Sequence, residues 1–293
     1  MGLLDNLKSL LQSKRVDVDE RFELLKEAVS GTMSDFYMAR DRKTKQVVGL
    51  KIGILEKTTA FEARFKGLKK PSEGVIAMSL QHPRIVESFE YGVTSEGQPY
   101  LVMEYLHGPG LHALLYIRDP VLEGKRANII RQMAEAVDAV HKAGYIHRDV
   151  CPRNFIYLPE SESVKMIDFG LTVPATPEFM QPGNRTGTPL YMAPELVRRR
   201  PTDQRLDIFA FGVTAYQICT NELPWPVTET SGLAAMAHDT QEPTDIFRYR
   251  PTLNRTLAEA IMDCMAPKPE NRTQTMEDFL RQIRKVESDD EAK

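Results

Sequence analysis

The feature that most constrains this chain is a change of hydrophobic period part-way along it. Up to about Glu104 the apolar residues tend to alternate; beyond the turn His107-Gly108-Pro109-Gly110 they recur every three or four residues. Alternation marks strands half-buried on a sheet, and the longer period marks helices with one buried face. Asp35–Arg40 and Gln46–Ile52 flank a turn-like Asp-Arg-Lys-Thr-Lys and read as a hairpin. Ile85–Tyr91 and Pro99–Tyr105 give two further strands, and Thr58–Leu80 carries a helical pattern interrupted at Gly67, Pro71 and Gly74. Beyond the turn, Ile129–Ala143 reads as an amphipathic helix through Ile130, Met133, Ala136, Val137 and Val140. Phe155–Leu158 and Ser163–Ile167 form a short strand pair, and residues 173–189 a loop rich in Pro, Gly and Thr. The expected class is α+β and bilobal: a small antiparallel-sheet lobe with one helix over 21–106, then a larger, mainly helical lobe over 107–286. Residues 1–20 would be an amphipathic extension, 104–108 a hinge and 287–293 a frayed acidic tail.

Composition narrows the function. The formal charge over 293 residues is −3, so no global positive field would recruit nucleic acid. The longest apolar stretch, Ile208–Cys219, is too short to span a bilayer, and no integral membrane segment is expected. Cys151, Cys219 and Cys264 lie far apart without metal-ligand spacing, which points to reduced thiols and a cytoplasmic setting. Leu3, Leu4, Leu7, Leu10 and Leu11 recur at helical spacing, either to dock on the protein itself or to meet a partner or membrane surface. Asn6 stands where a myristoylation signal needs Ser or Thr. There is no Walker A loop and no HExxH.

The chemistry-bearing strings occur in a fixed order. Lys51 closes Val48-Gly49-Leu50-Lys51; His147-Arg148-Asp149-Val150-Cys151-Pro152-Arg153-Asn154 follows, then Ile167-Asp168-Phe169-Gly170, then Ala193-Pro194-Glu195. By that order and spacing, residues 21–286 resemble the eukaryotic-type (Hanks-type) serine/threonine protein kinases. The resemblance implies ATP and Mg²⁺, with Lys51 gripping the α- and β-phosphates, Asp149 accepting the substrate hydroxyl's proton, and Asn154 and Asp168 holding the metal. The carboxylate that fixes Lys51 falls on Glu73, counting back from His82-Pro83, with Glu62 as the alternative. Ala77, one turn after Glu73, is smaller than the family's usual residue there, which would let that helix swing. The adenine would meet Met103, the hinge Glu104-Tyr105-Leu106 and Ile156. Asp207 resembles the aspartate that braces the catalytic loop, and Glu195 would pair with Arg272. Thr188 would contact Asp149, and Gly187–Glu195 follows the serine/threonine pattern rather than that of tyrosine kinases. Arg148 fits a kinase switched by activation-loop phosphorylation, at Thr186 or Thr176.

Departures from the family matter as much. The glycine-rich loop is reduced to Val29-Ser30-Gly31-Thr32-Met33-Ser34, where only Gly31 remains, so a stiffer lid and weaker nucleotide binding are expected. Phe36 stands where Val is usual and Gly49 where Ala is usual; either the two volumes compensate or the phenyl ring blocks the adenine site. Cys151 replaces the lysine of the catalytic loop, a change offset by Arg153, placed where tyrosine kinases carry an arginine. The leading reading is an active kinase acting on protein substrates. The alternative is a pseudokinase, a binding or scaffolding module. A small-molecule phosphotransferase is disfavoured by Ala193-Pro194-Glu195.

Overall fold

The computed structural model describes residues 15–26, 28–182, 186–225 and 234–291. The leucine stretch Leu3–Leu11, expected to be helical, lies outside the described residues. The chain divides into two compact units: Met1–Gln81 with Val86–Leu106, and His82–Ile85 with His107–Lys293.

The first unit is a six-stranded antiparallel sheet with two helices on the chain between its strands. A short helix α1 (Val18–Arg21) leads into β1 (Phe22–Leu24), β2 (Val29–Ser30), β3 (Ser34–Asp41) and β4 (Val47–Gly53). Helices α2 (Leu55–Glu62) and α3 (Glu73–Ser79) follow, then β5 (Ser88–Val93) and β6 (Pro99–Glu104). The sheet order is β1-β3-β4-β6-β5, with β2 also on β3. Period-two alternation splits the residues between two faces. Phe22, Ala39, Val48, Leu50, Tyr100 and Val102 form the buried core, which Val16 and Val18 also cover. The expected helix over Thr58–Leu80 is two helices instead. Gly67 takes φ +90 and Pro71 follows, and the Ser72 side chain then accepts from Val75 N to start α3 afresh. The strand expected over Ile85–Tyr91 begins at Ser88, with a register shift between Ser88 and Glu90. Ile85 makes only an isolated bridge to Met166.

The second unit is mainly helical. It contains α4 (Leu111–Tyr116), α5 (Arg126–Lys142), β7 (Tyr145–Ile146), the hairpin β8 (Phe155–Leu158) and β9 (Ser163–Met166), and β10 (Val173–Pro174) paired with β7. The helices α6 (Pro194–Val197), α7 (Arg205–Thr220), α8 (Ile246–Tyr249), α9 (Arg255–Cys264) and α10 (Met276–Gln282) complete it. Helix α7 is buried nearly all round, as its predominantly apolar sequence requires. The expected frayed tail is docked as far as residue 291. Helix α5 has no side-chain cap of its own, and Asp289 Oδ1 accepts from Ala127 N at 2.8 Å to supply one. Arg250 grips Asp290 through two hydrogen bonds of 2.9 Å. Among the described residues no helix is long and apolar enough to cross a membrane.

Candidate active site

In the first unit, one row of residues runs across the sheet: Val29 opposite Phe36, Phe36 opposite Lys51, Lys51 opposite Leu101, and Leu101 opposite Tyr91. Directly paired residues share a face, so this row and its neighbours Gly49 and Met103, also paired, lie on the face away from the core cluster. Here Lys51 Nζ donates to Glu73 Oε1 at 2.5 Å, with the two side chains 11% and 27% exposed. Glu62 turns instead to Lys70, at 3.1 Å. Partial shielding from water strengthens a charged pair of this kind beyond what a surface pair provides.

Phe36 and Gly49 are coupled in volume. A Cβ on Gly49 would stand 2.8 Å from Phe36 Cζ and 3.1 Å from Met103 Cγ, so the phenyl ring occupies the space that the missing methyl leaves. The same ring stacks on Tyr105 with centroids 6.3 Å apart. Gly31 N donates to Ser34 O at 2.8 Å, closing the turn between β2 and β3, while Val29 is 72% exposed. Glu104 accepts from Glu87 N through Oε1, and Leu106 is half-buried at the end of this unit.

In the second unit, the β8–β9 register sets Asn154 beside the end of β9. Phe155 pairs with Met166, and Ile167 N donates to Asn154 O at 2.8 Å, so Asn154 and Asp168 flank one hairpin. Asn154 Nδ2 donates to Asp149 O (2.7 Å) and Asp149 Oδ2 (3.0 Å). Both bonds use the Asn154 amide nitrogen, so Asn154 Oδ1 takes no part in them. Asp149 Oδ1 accepts from Thr188 N and Thr188 Oγ1, both at 2.8 Å, and Arg153 Nη2 donates to that same hydroxyl at 3.0 Å. The approach depends on Gly187, at φ +123, where a Cβ would lie 2.6 Å from Arg148 O. The sequence marks Gly187 only as the first residue of Gly187–Glu195; a glycine directly before Thr188 is the signal for this close approach. Ile156 is half-buried on β8.

Behind this loop, Asp207 is fully buried and accepts from His147 N (2.7 Å), Arg148 N (2.8 Å) and His141 Nε2 (3.0 Å). Burial alone would raise its carboxyl, but those donors, His141 foremost, hold it below the usual carboxylate range. Arg148 and Asp168 both take positive φ, at 70 and 67, a costly backbone state held by these contacts. Phe169 packs edge-on to His147 and fixes the start of the Asp168 loop, where Asp168 Oδ1 accepts from Gly170 N. Cys151 is buried against Thr188, and burial pushes its thiol up to about 11, so it is no nucleophile at neutral pH. Thr176 is exposed, and Thr186 is buried.

Mg²⁺ takes oxygen ligands and keeps waters and phosphate oxygens among them. Asn154 Oδ1 and the Asp168 carboxylate fit that demand. Among the described residues no three His, Cys, Asp or Glu side chains gather as a closed metal site.

Residues 22–288 match the family model of the protein kinase domain. The chain belongs to the protein kinase family. It is 31% identical over 269 residues to the serine/threonine-protein kinase pkn3 of Myxococcus xanthus, covering 88% of this chain and 48% of that protein. It is 29% identical over 277 residues to the serine/threonine-protein kinase PknB of Mycolicibacterium smegmatis, covering 92% of this chain and 43% of that protein. The chain thus spans under half the length of these relatives. Its kinase fold is the expected α+β one, a sheet unit followed by a mainly helical unit.

Proposed function

We propose that this chain transfers the γ-phosphoryl group of ATP to serine or threonine hydroxyls of protein substrates. The observation that carries the reading is the hold on Asp149, whose carboxylate accepts from Asn154 on one oxygen and from Thr188 on the other. A carboxylate so oriented is suited to take the proton of an incoming hydroxyl as the new O–P bond forms and the bond to the β-phosphate oxygen breaks. Lys51, steadied by Glu73, would meet the α- and β-phosphates. Asn154 and Asp168 would hold magnesium, which neutralises phosphate charge when bound. Arg153, anchored on Thr188, provides a cation beside the loop position where Cys151 has none. The base would rest near Phe36, Gly49 and Met103, with Glu104, Leu106 and Ile156 as further contacts. Three separate free cysteines suit a reducing cytoplasm.

A binding module without phosphotransfer draws support from the exposed, two-residue β2 and its single lid glycine, Gly31. The two readings separate on transfer of radiolabel from ATP to a generic protein substrate by wild type, Asp149→Asn and Asp168→Ala. The kinase reading expects strong loss in both variants, on the order of 10²-fold or more; equal labelling by all three would overturn it. Unfolding with and without Mg-ATP reports binding independently, because a ligand of the native state raises apparent stability.

A further inference from the structure

We infer that Gly74 is a positioning residue, whose missing side chain lets α3 settle on Tyr91 at the depth where Glu73 meets Lys51. Its catalytic consequence rests on the kinase reading, while its geometry does not. Glu73 and Gly74 are the first two residues of α3, just after the Ser72 cap. Gly74 is buried, and a Cβ there would lie 2.4 Å from Tyr91 Cβ and Cγ and 2.6 Å from Cδ2. The tyrosine Cβ is set by the strand backbone and no rotamer change moves it away, so helix or strand backbone must shift. The contrast with Gly49 is instructive, since its nearest neighbours are the far end of a phenyl ring.

Tyr91 is also fixed in relation to Lys51. It pairs with Leu101, and Leu101 pairs with Lys51, so the tyrosine and the lysine stand in one row, two strand spacings or about 10 Å apart. The tyrosine root therefore acts as a stop for α3 measured from the lysine's own row. The Lys51–Glu73 contact is already at its closest, 2.5 Å, and a retreat of roughly 1 Å by the helix takes it out of hydrogen-bond range. Ala77, buried one turn on from Gly74, keeps the same inner side of the helix small. Small residues at both positions allow the close seat, and Tyr91 defines where it ends.

The test is a double-mutant cycle of Gly74→Ala against Glu73→Gln, read as kcat/KM and as the Kd of Mg-ATP, with unfolding temperature as a check on the fold. Gly74→Ala is expected to weaken nucleotide use about tenfold, within the range of effects transmitted through packing. On the Glu73→Gln background it should have no further effect. An equal loss on both backgrounds would make Gly74 a general packing residue and overturn the inference. Should Gly74→Ala not fold, Gly74→Ala/Tyr91→Gly provides the reading, and its Kd should match that of Tyr91→Gly within threefold; a tenfold weaker value counts against the inference. If wild type neither transfers phosphate nor binds Mg-ATP, the kinase reading fails by itself. The rate at which an amine-reactive reagent labels Lys51 then decides the matter: Gly74→Ala should raise it as Glu73→Gln does, and an unchanged rate overturns the proposal.

Discussion

Cys151 sits where the family keeps a cation, yet burial has turned it into an inert filler against Thr188 Oγ1, 3.7 Å away. Its thiol is pushed up to about 11, and those of Cys219 and Cys264 to about 12, all by burial. Native protein at pH 8 is expected to resist alkylation at all three until it unfolds; rapid modification of Cys151 in the folded state would contradict this. At the same scale, Phe36→Val should leave a hole beside Gly49 and weaken Mg-ATP binding, and adding Gly49→Ala should recover most of the loss. A double variant bound more weakly than either single one would refute the volume coupling. The sequence offers Lys51, Asp149, Asn154 and Asp168 as candidates through the order and spacing of the short strings that carry them. It could not show that the Phe36 ring lies over Gly49, or that Gly74 meets Tyr91. Those contacts depend on strand register and on how a helix is seated, which no local pattern encodes.

Helix boundaries follow the same logic. The pattern over Thr58–Leu80 looked like one interrupted helix because its apolar residues hold their phase, but the Ser72 cap and the φ +90 at Gly67 divide it. The docked tail was illegible because a short acidic string has no periodicity; its value lies in capping a helix 162 residues away. Asp289→Ala should therefore lower the unfolding temperature by the equivalent of about 1 kcal/mol, the usual worth of a cap. No change on calorimetry would show α5 to be indifferent to the tail. The Glu195–Arg272 pair is a heavier element. Both residues are buried, joined by two hydrogen bonds of 2.8 and 2.9 Å, and Arg272 also donates to the carbonyls of Ala266, Pro267 and Arg205. Glu195→Ala leaves that guanidinium buried without its counter-charge and should destabilise by about 3–5 kcal/mol. Denaturant titration measures it, and a loss below 1 kcal/mol would exclude the pair as a staple.

For the molecule as a whole, pH enters through three histidines. Lost hydration is the main cause that holds His82, His112 and His238 below the ordinary 6.5, with Glu135 partly opposing it at His82, and the Met192 carbonyl and then Asp239 at His238. The unfolded chain then binds more protons than the folded one just below pH 6.5, so stability falls as pH drops through that window. Below about pH 4 the depressed carboxylates Asp41, Glu90, Asp203 and Asp207 add to the loss, since their advantage exists only while they are ionised. Unfolding temperatures at pH 7.5 and 5.5 should differ in that sense; equal values would show that these imidazoles carry no linkage.

Arg21 is a clasp whose practical meaning concerns where a recombinant fragment should start. It donates to Asp41 at 3.0 Å and to both oxygens of Glu90, while Val16 hydrogen-bonds the backbone at Val93 and Ser95. A fragment cut to begin at Phe22, where family likeness sets in, would strip the cation from two carboxylates, one of them sealed from solvent. Such a fragment would express poorly for reasons unrelated to its catalytic residues, whereas one begun ahead of Val16 keeps the clasp closed.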